Sequence, residues 1–437
     1  MPLPYLPTEI WLKIFESFEG PLFDDGLYAV YSLAMSSRDN YRTFIPLLYH
    51  FHAKPGKHPH ALDWAISKGM ASTLQLVVYG MQRLPNRVQI WNEALLVAVV
   101  VSTPAVALVL LQQKGVDPNF RPDPKFHINC ASPLAVAAHR GNVNMVGLLL
   151  SCDKIKPNVG DYTDRSPISF AAAKGSHAVI SMLLHRPDVD PDIPDQKGMT
   201  PLCYAIISGS VQTVLAFLAW TDVDVNAKVK FRDDRKGWCP LHFALESGHQ
   251  EIARLLIRAP GIDLRYQTGV GETPLHAAAL RGYTGIVKDL LVRGVSPDTQ
   301  NARSRTAIWN AAISGHWAVV KILLDARANP DIADAASRTP LMMAVKNKDV
   351  TMVRTLLNTQ QVSVHAVDNR GRSILSYAAE GGSLEIINLL LCRMPNFDFD
   401  AVDANGKRLV AYARAKNRAQ LMAYFAAIRL LSIARDK

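Results

Sequence analysis

Glu272-Thr273-Pro274-Leu275-His276-Ala277-Ala278-Ala279-Leu280-Arg281-Gly282 reads as one complete short helix. Thr273 can cap it, and Pro274 fits the first turn, where no amide partner is lost. The run Ala277-Ala278-Ala279 leaves room for a closely packed neighbour, and Gly282 tolerates the positive φ that ends a helix. A second helix is predicted over residues 284–292, with Ile286, Leu290 and Leu291 on one face and Gly294 at its end. Residues 295–301 then carry Pro, Asp and Asn, which favour turns.

The opening phrase of that helix returns along the chain. It reads Ser132-Pro133-Leu134, Ser166-Pro167-Ile168, Thr200-Pro201-Leu202, Cys239-Pro240-Leu241, Thr273-Pro274-Leu275, Thr306-Ala307-Ile308, Thr339-Pro340-Leu341 and Ser373-Ile374-Leu375. The steps between middle residues are 34, 34, 39, 34, 33, 33 and 34. Fainter copies continue outward: Ala94-Leu95-Leu96-Val97-Ala98, Ala61-Leu62-Asp63-Trp64-Ala65 and, near the other end, Arg408-Leu409-Val410-Ala411. Units this small cannot bury their own apolar faces, so they are expected to stack around one continuous core. Helix, helix and turn-rich loop, opened by Thr-Pro-Leu-His, closely resemble the ankyrin repeat. That resemblance implies an all-α ankyrin-repeat solenoid over residues 55–437, about eleven units with the first two and the last degenerate, and a surface that holds other proteins. His242 and His276 belong to the signature and read as structural. Trp309 occupies the signature histidine position and is expected half-buried; Trp317 falls at a variable position and is expected exposed.

Residues 1–54 follow another pattern. Leu6-Pro7-Thr8-Glu9-Ile10-Trp11-Leu12-Lys13-Ile14-Phe15 offers Thr8 as a helix cap and an apolar stripe through Ile10, Ile14 and Phe15. Leu33 to Tyr41 contains Ser37-Arg38, and Leu48-Tyr49 closes the segment. A helical unit with this much apolar surface must pack on the first repeat or bind a partner. These residues resemble an F-box, whose Leu-Pro-x-Glu-Ile-x-x-x-Ile-Phe opening is matched by Leu6, Pro7, Glu9, Ile10, Ile14 and Phe15. The resemblance implies docking on the Skp-type adaptor of a cullin–RING ubiquitin ligase through Leu6, Pro7, Ile10, Ile14 and Phe15, with the repeats holding a protein substrate. Tyr41 stands where that family commonly has tryptophan, and the link over residues 19–26 is long. The alternative is an ankyrin scaffold whose N-terminal segment only caps the repeats.

The net charge of +10 is uneven: the first fifty residues carry three basic and six acidic groups, leaving +13 on the remainder. A basic array favours acidic partners. No aromatic-interleaved basic stripe or nucleic-acid motif stands out, which disfavours nucleic acid. The apolar stretch from Leu95 to Leu111 is interrupted by Pro104 and is shorter than the ~20 residues of a membrane helix. Met1 to Ile10 holds three prolines, unlike a signal leader. Five scattered cysteines show no metal or disulfide spacing, which points to a reducing interior, cytoplasmic or nuclear. No catalytic, metal or cofactor site is expected. Cys239 and His242 are three apart, but both sit at signature positions, and the Asp-rich loops read as turns.

Two loops exceed the period by about five residues each, at 115–131 and 221–238. Extra length in such loops costs little stability and often carries function. The partner-binding candidates are therefore Phe120, Arg121 and Phe126 in the first loop. In the second they are Lys230, Phe231, Arg232, Arg235 and Trp238, with Phe243 beside it. Aromatic and basic side chains together suit an acidic protein partner.

Overall fold

Seven first helices open on a serine or threonine whose hydroxyl accepts the backbone amide three residues on: Ser132, Ser166, Thr200, Thr273, Thr306, Thr339 and Ser373. Each such cap contributes roughly 1 kcal/mol. Pro133, Pro167, Pro201, Pro240, Pro274 and Pro340 fill the first turn behind the cap position, where a missing amide costs nothing.

The structure, a computed structural model, describes residues 60–81, 86–122, 131–220, 222–229, 237–359, 361–395, 397–416 and 418–435. The F-box-like segment, with Leu6, Pro7, Ile10, Ile14 and Phe15, lies outside them. Two compact units divide the chain, one ending at Asp222 and the other beginning at Val223. The first holds α1 (His60–Ser67), α2 (Ala71–Gly80), α3 (Arg87–Val101), α4 (Pro104–Leu111), α5 (Pro133–Arg140), α6 (Val143–Leu150), α7 (Pro167–Lys174), α8 (His177–Leu184), α9 (Pro201–Ser208) and α10 (Val211–Leu218). The second holds α11 (Pro240–Glu246), α12 (Gln250–Arg258), α13 (Pro274–Arg281), α14 (Thr284–Val292), α15 (Ala307–Ile313), α16 (Trp317–Asp325), α17 (Pro340–Lys346), α18 (Val350–Leu357), α19 (Ile374–Gly381), α20 (Leu384–Leu391), α21 (Leu409–Ala415) and α22 (Ala419–Arg435). Among the described residues there are no strands, only single bridges such as Val367 to Ser373 and Val402 to Arg408.

Within each unit the odd-numbered helices form one layer and the even-numbered a second, every helix touching the equivalent helix of the next pair and its own partner. Small side chains let the first layer close up: Ala135, Ala137 and Ala138 of α5 and Ala171 and Ala172 of α7 are fully buried. The second layer supplies the larger apolar side chains, including Val179, Ile180 and Leu183 of α8 and Ile286, Val287 and Leu290 of α14. Each such side chain is worth about 1.5–3 kcal/mol on burial, and the neighbouring pair provides half of the environment. The 95–111 stretch folds as two helices, with Pro104 at the first turn of α4. Among the described residues no helix is long and apolar enough to cross a membrane.

The loops between pairs rest on an acidic or amide side chain that accepts two amides, two and four residues on. Asp195 takes those of Lys197 and Met199, Asp334 those of Ala336 and Arg338, and Asp368 those of Arg370 and Arg372. Asp161, Asn301 and Asp403 do the same. The recurring aspartates are thus bound to backbone. Among the described residues no group of three or more His, Cys, Asp or Glu side chains is placed to hold a metal ion.

Gly282 ends α13 at φ +74°, and a Cβ there would lie 2.6 Å from the His316 ring. Gly294 has nearly the same φ, +77°, with nothing within 4 Å of an added Cβ. The left-handed conformation costs a non-glycine residue about 1–2 kcal/mol. Gly294→Ala is expected to lose about that much in urea unfolding, and Gly282→Ala to lose more, because His316 must also move. Equal losses would show that the His316 contact is unimportant.

Candidate interaction surface

In three repeats of the second unit the fourth residue of the signature ties the repeat to the next. In α13, the amide of Thr273 donates to Nδ1 of His276 at 3.3 Å, and the Thr273 hydroxyl lies 2.7 Å from the same atom. Nε2 of His276 lies 2.8 Å from the carbonyl oxygen of Arg305. A carbonyl only accepts, so Nε2 donates to it while Nδ1 meets the cap, and the ring has a structural role. His242 repeats the arrangement, its Nε2 lying 3.3 Å from the Glu272 carbonyl. At the same position Trp309 donates from Nε1 to the Arg338 carbonyl at 3.0 Å. Trp309 is fully buried, not half-buried as its place in the signature suggested. Its ring is covered by the guanidinium groups of Arg305 at 3.9 Å and Arg338 at 5.9 Å.

The residue just before each cap is often arginine, and its setting differs along the array. In the second unit Arg338 donates to Asp334 at 2.5 and 3.0 Å, and Arg372 donates to Asp368 at 2.8 Å. Burial alone would raise the Asp334 carboxyl, but the Arg338 side chain and the amides of Arg338 and Ala336 outweigh it and hold it below the usual range. Asp368 is likewise held low against the effect of burial, by Tyr377, the Arg372 and Arg370 amides and the Arg372 guanidinium. Burial and the hydrogen bond to Asp403 push the Tyr412 phenol up to about 12. These arginines are neutralised in place. In the first unit Arg165 has no such partner among the described residues: it is stacked between Phe170 at 4.2 Å and Tyr204 at 4.1 Å.

Cys239 does not cap α11. Its Sγ lies 3.0 Å from Nδ1 of His242, and burial pushes the thiol up to about 11. A thiol this far above neutrality carries almost no thiolate, so the pair has no nucleophile.

Only some of the loop candidates can be placed. Phe126, Lys230, Phe231, Arg232 and Arg235 lie outside the described residues. Phe120 is half-buried. Arg121 is exposed, donates to the carbonyls of Gly160 and Asp161 at 3.4 and 3.2 Å, and covers the Tyr162 ring at 5.2 Å. Trp238 is half-buried, pairs its backbone with Val229 and packs on Phe243 and His242. Phe243 is 3 % exposed, which corrects its expected place on the outer surface. It faces the Trp238 ring 5.5 Å away, inside its own repeat. Trp317 is 49 % exposed. The group that sequence reasoning missed is Arg140, Arg165, Phe170, Lys174 and Tyr204; its one signal is a repeat-to-repeat alignment of cations at 140 and 174.

A family model for ankyrin repeats matches residues 95–195, 171–268, 260–334 and 327–403, well over half of the chain. The chain belongs to the ankyrin-repeat proteins. Rabankyrin-5 of Homo sapiens is 44 % identical over 192 residues, 43 % of this chain and 16 % of that protein, and Rabankyrin-5 of Mus musculus is 43 % identical over the same length. The nuclear factor NF-kappa-B p105 subunit of Gallus gallus is 35 % identical over 79 residues, 18 % of this chain and 8 % of that protein. The matches to Rabankyrin-5 thus span less than a fifth of that protein's length. Ankyrin repeats are protein-interaction modules, in general without catalysis.

Two outcomes are expected from these geometries. Trp309→Ala should cost about 3–5 kcal/mol in urea unfolding, and Trp309→His less, because an imidazole donor can still reach the Arg338 carbonyl; equal losses would mean that the bond contributes nothing. Under native conditions at neutral pH, iodoacetamide should label the exposed Cys392 but neither Cys203 nor Cys239, which are buried, until denaturant is added. Mass spectrometry of tryptic peptides reads the difference, and early labelling of Cys239 would contradict the buried neutral thiol.

Proposed function

We propose that this chain recruits a protein substrate to a cullin–RING ubiquitin ligase, with residues 1–54 docking a Skp-type adaptor and the ankyrin array over residues 55–437 holding the substrate. The observation that carries the reading is the N-terminal sequence Leu6-Pro7-Thr8-Glu9-Ile10 with Ile14-Phe15, placed ahead of an interaction module. A segment with that apolar stripe needs a partner surface, and an array built to hold a protein gives a ligase adaptor something to deliver. The chain itself contributes binding only; transfer of ubiquitin belongs to the ligase. The scattered cysteines and the basic charge suit the cytoplasm or nucleus and an acidic substrate.

Leu6 and Pro7 would be buried anchors, and truncating such anchors typically costs on the order of 2 kcal/mol or more each. Leu6→Ala combined with Pro7→Ala is expected to abolish co-purification with recombinant Skp-type adaptor while the thermal unfolding of the repeats is unchanged. Retention of the adaptor by the double variant, or its absence from the wild type, would leave the array as a scaffold with an N-terminal cap.

A further inference from the structure

The first unit carries a group of cations that find no carboxylate partner among the described residues. Among those residues Arg165 makes no ion pair and no side-chain hydrogen bond, and its Nε is buried without a partner. Phe170 and Tyr204 cover its two sides at 4.2 and 4.1 Å. The His139 ring meets Phe170 edge-on, with centroids 5.6 Å apart. Arg140 and Lys174 end α5 and α7, are exposed, and enter no ion pair among the described residues. Lys174 lies against the end of α5, its Cγ 3.9 Å from where a Cβ on Gly141 would sit, and burial, then the charges of Arg165, Lys174 and Arg140, hold His139 below the ordinary imidazole range. Of the acidic side chains nearby, Asp161 accepts the amides of Thr163 and Arg165 through one oxygen without pairing with the Arg165 guanidinium, and Asp195 accepts two amides and the Tyr204 hydroxyl at 2.6 Å.

We propose that Arg165, held between Phe170 and Tyr204 and flanked by Arg140, Lys174 and His139, is a binding site for the carboxylate side chains of an acidic peptide segment of a protein partner. The aromatic rings are spent on fixing the guanidinium, so the cluster has few free ring faces on which a nucleic-acid base would stack. With its sides covered and Nε out of reach, the terminal amino groups are the donors a ligand can meet, in the planar geometry that suits a carboxylate. Stacking also removes most of the rotamer entropy that a free arginine would lose on binding. An arriving carboxylate would relieve the mutual repulsion of Arg165, Arg140 and Lys174 as well as gain hydrogen bonds. The proposal rests on the array being the part that holds the substrate and is independent of adaptor docking, so failure of the Leu6 and Pro7 experiment leaves it standing.

The test uses the full chain and a short fluorescein-labelled polyglutamate peptide, with polyglutamine of equal length and labelled oligothymidylate as comparisons. Polyglutamate should bind by fluorescence anisotropy, polyglutamine should not, and affinity should fall as salt rises from about 50 to about 200 mM. Arg165→Gln should weaken polyglutamate binding about tenfold, the scale of a lost charged hydrogen bond. Arg140→Gln with Lys174→Gln, both exposed and harmless to the core, should weaken it by a similar factor at unchanged thermal unfolding. Gln at Lys288, Arg293 and Lys321, exposed cations of the second unit, should leave it unchanged. No binding of polyglutamate, tighter binding of oligothymidylate that the same variants abolish, or equal loss from the second-unit control would each overturn the proposal.

Discussion

The loop between successive helix pairs depends on one buried oxygen that accepts two backbone amides. Asp195, Asn301, Asp334, Asp368 and Asp403 all supply it, and each is at most 8 % exposed. Leaving two buried amides unpaired would cost about 1–3 kcal/mol each, more than the turn's own preferences provide. Once the oxygen is in place, the residue four further on has a fixed backbone position immediately before the helix cap. In two of these loops the carbonyl of that same residue also receives the side chain of the preceding repeat, Arg305 from His276 and Arg338 from Trp309. Loop, cap and inter-repeat bond are therefore one polar chain, and the apolar layers stack in register around it.

That fixed position is also where the array presents charge. At 338 and 372 the arginine turns back onto the loop aspartate, and the aspartate is further bound by backbone amides. The result is a rigid, nearly neutral surface. At 165 the same position carries a guanidinium that makes no ion pair among the described residues, although Asp161 accepts the Thr163 and Arg165 amides through one oxygen as Asp334 and Asp368 accept theirs. Phe170 and Tyr204 occupy the space beside it. A change of neighbours around one repeated position goes with the replacement of a structural ion pair by a half-buried, pre-oriented cation.

The period and the capping residues were legible because both act locally: a cap needs only the amide three residues on, and a proline needs only its own φ. The helix boundaries of residues 274–281 and 284–292 follow from those rules alone. Burial was less legible where it depends on a neighbour. Phe243 occupies a position that commonly varies on the surface, but Trp238 folds over it, and no rule about its own repeat contains that fact. Trp309 is buried because two arginines from successive loops close over its ring. The Arg165 group was illegible for a related reason. Residues 140, 165, 174 and 204 lie in three repeats, so each reads singly as an ordinary surface cation or a signature-adjacent aromatic, and only stacking brings them together.

The same reasoning qualifies what net charge can mean for this chain. A formal charge of +13 beyond the first fifty residues would attract any polyanion at long range. That net charge is spread over 45 basic and 32 acidic groups, and some of the cations sit in local pairs, Arg186 with Asp188, Arg281 with Glu246 and Arg354 with Glu385. Exposed pairs of this kind contribute little stability, but they remove charge from what a partner meets within a few ångströms. Selectivity then falls to the cations that lack such partners and are also held still. Lysines on the outer helices keep their full hydration and many rotamers, so they steer without discriminating. Arg165 has lost both freedoms before any partner arrives, which is why a single stacked guanidinium can matter more to recognition than the sum of the charge around it.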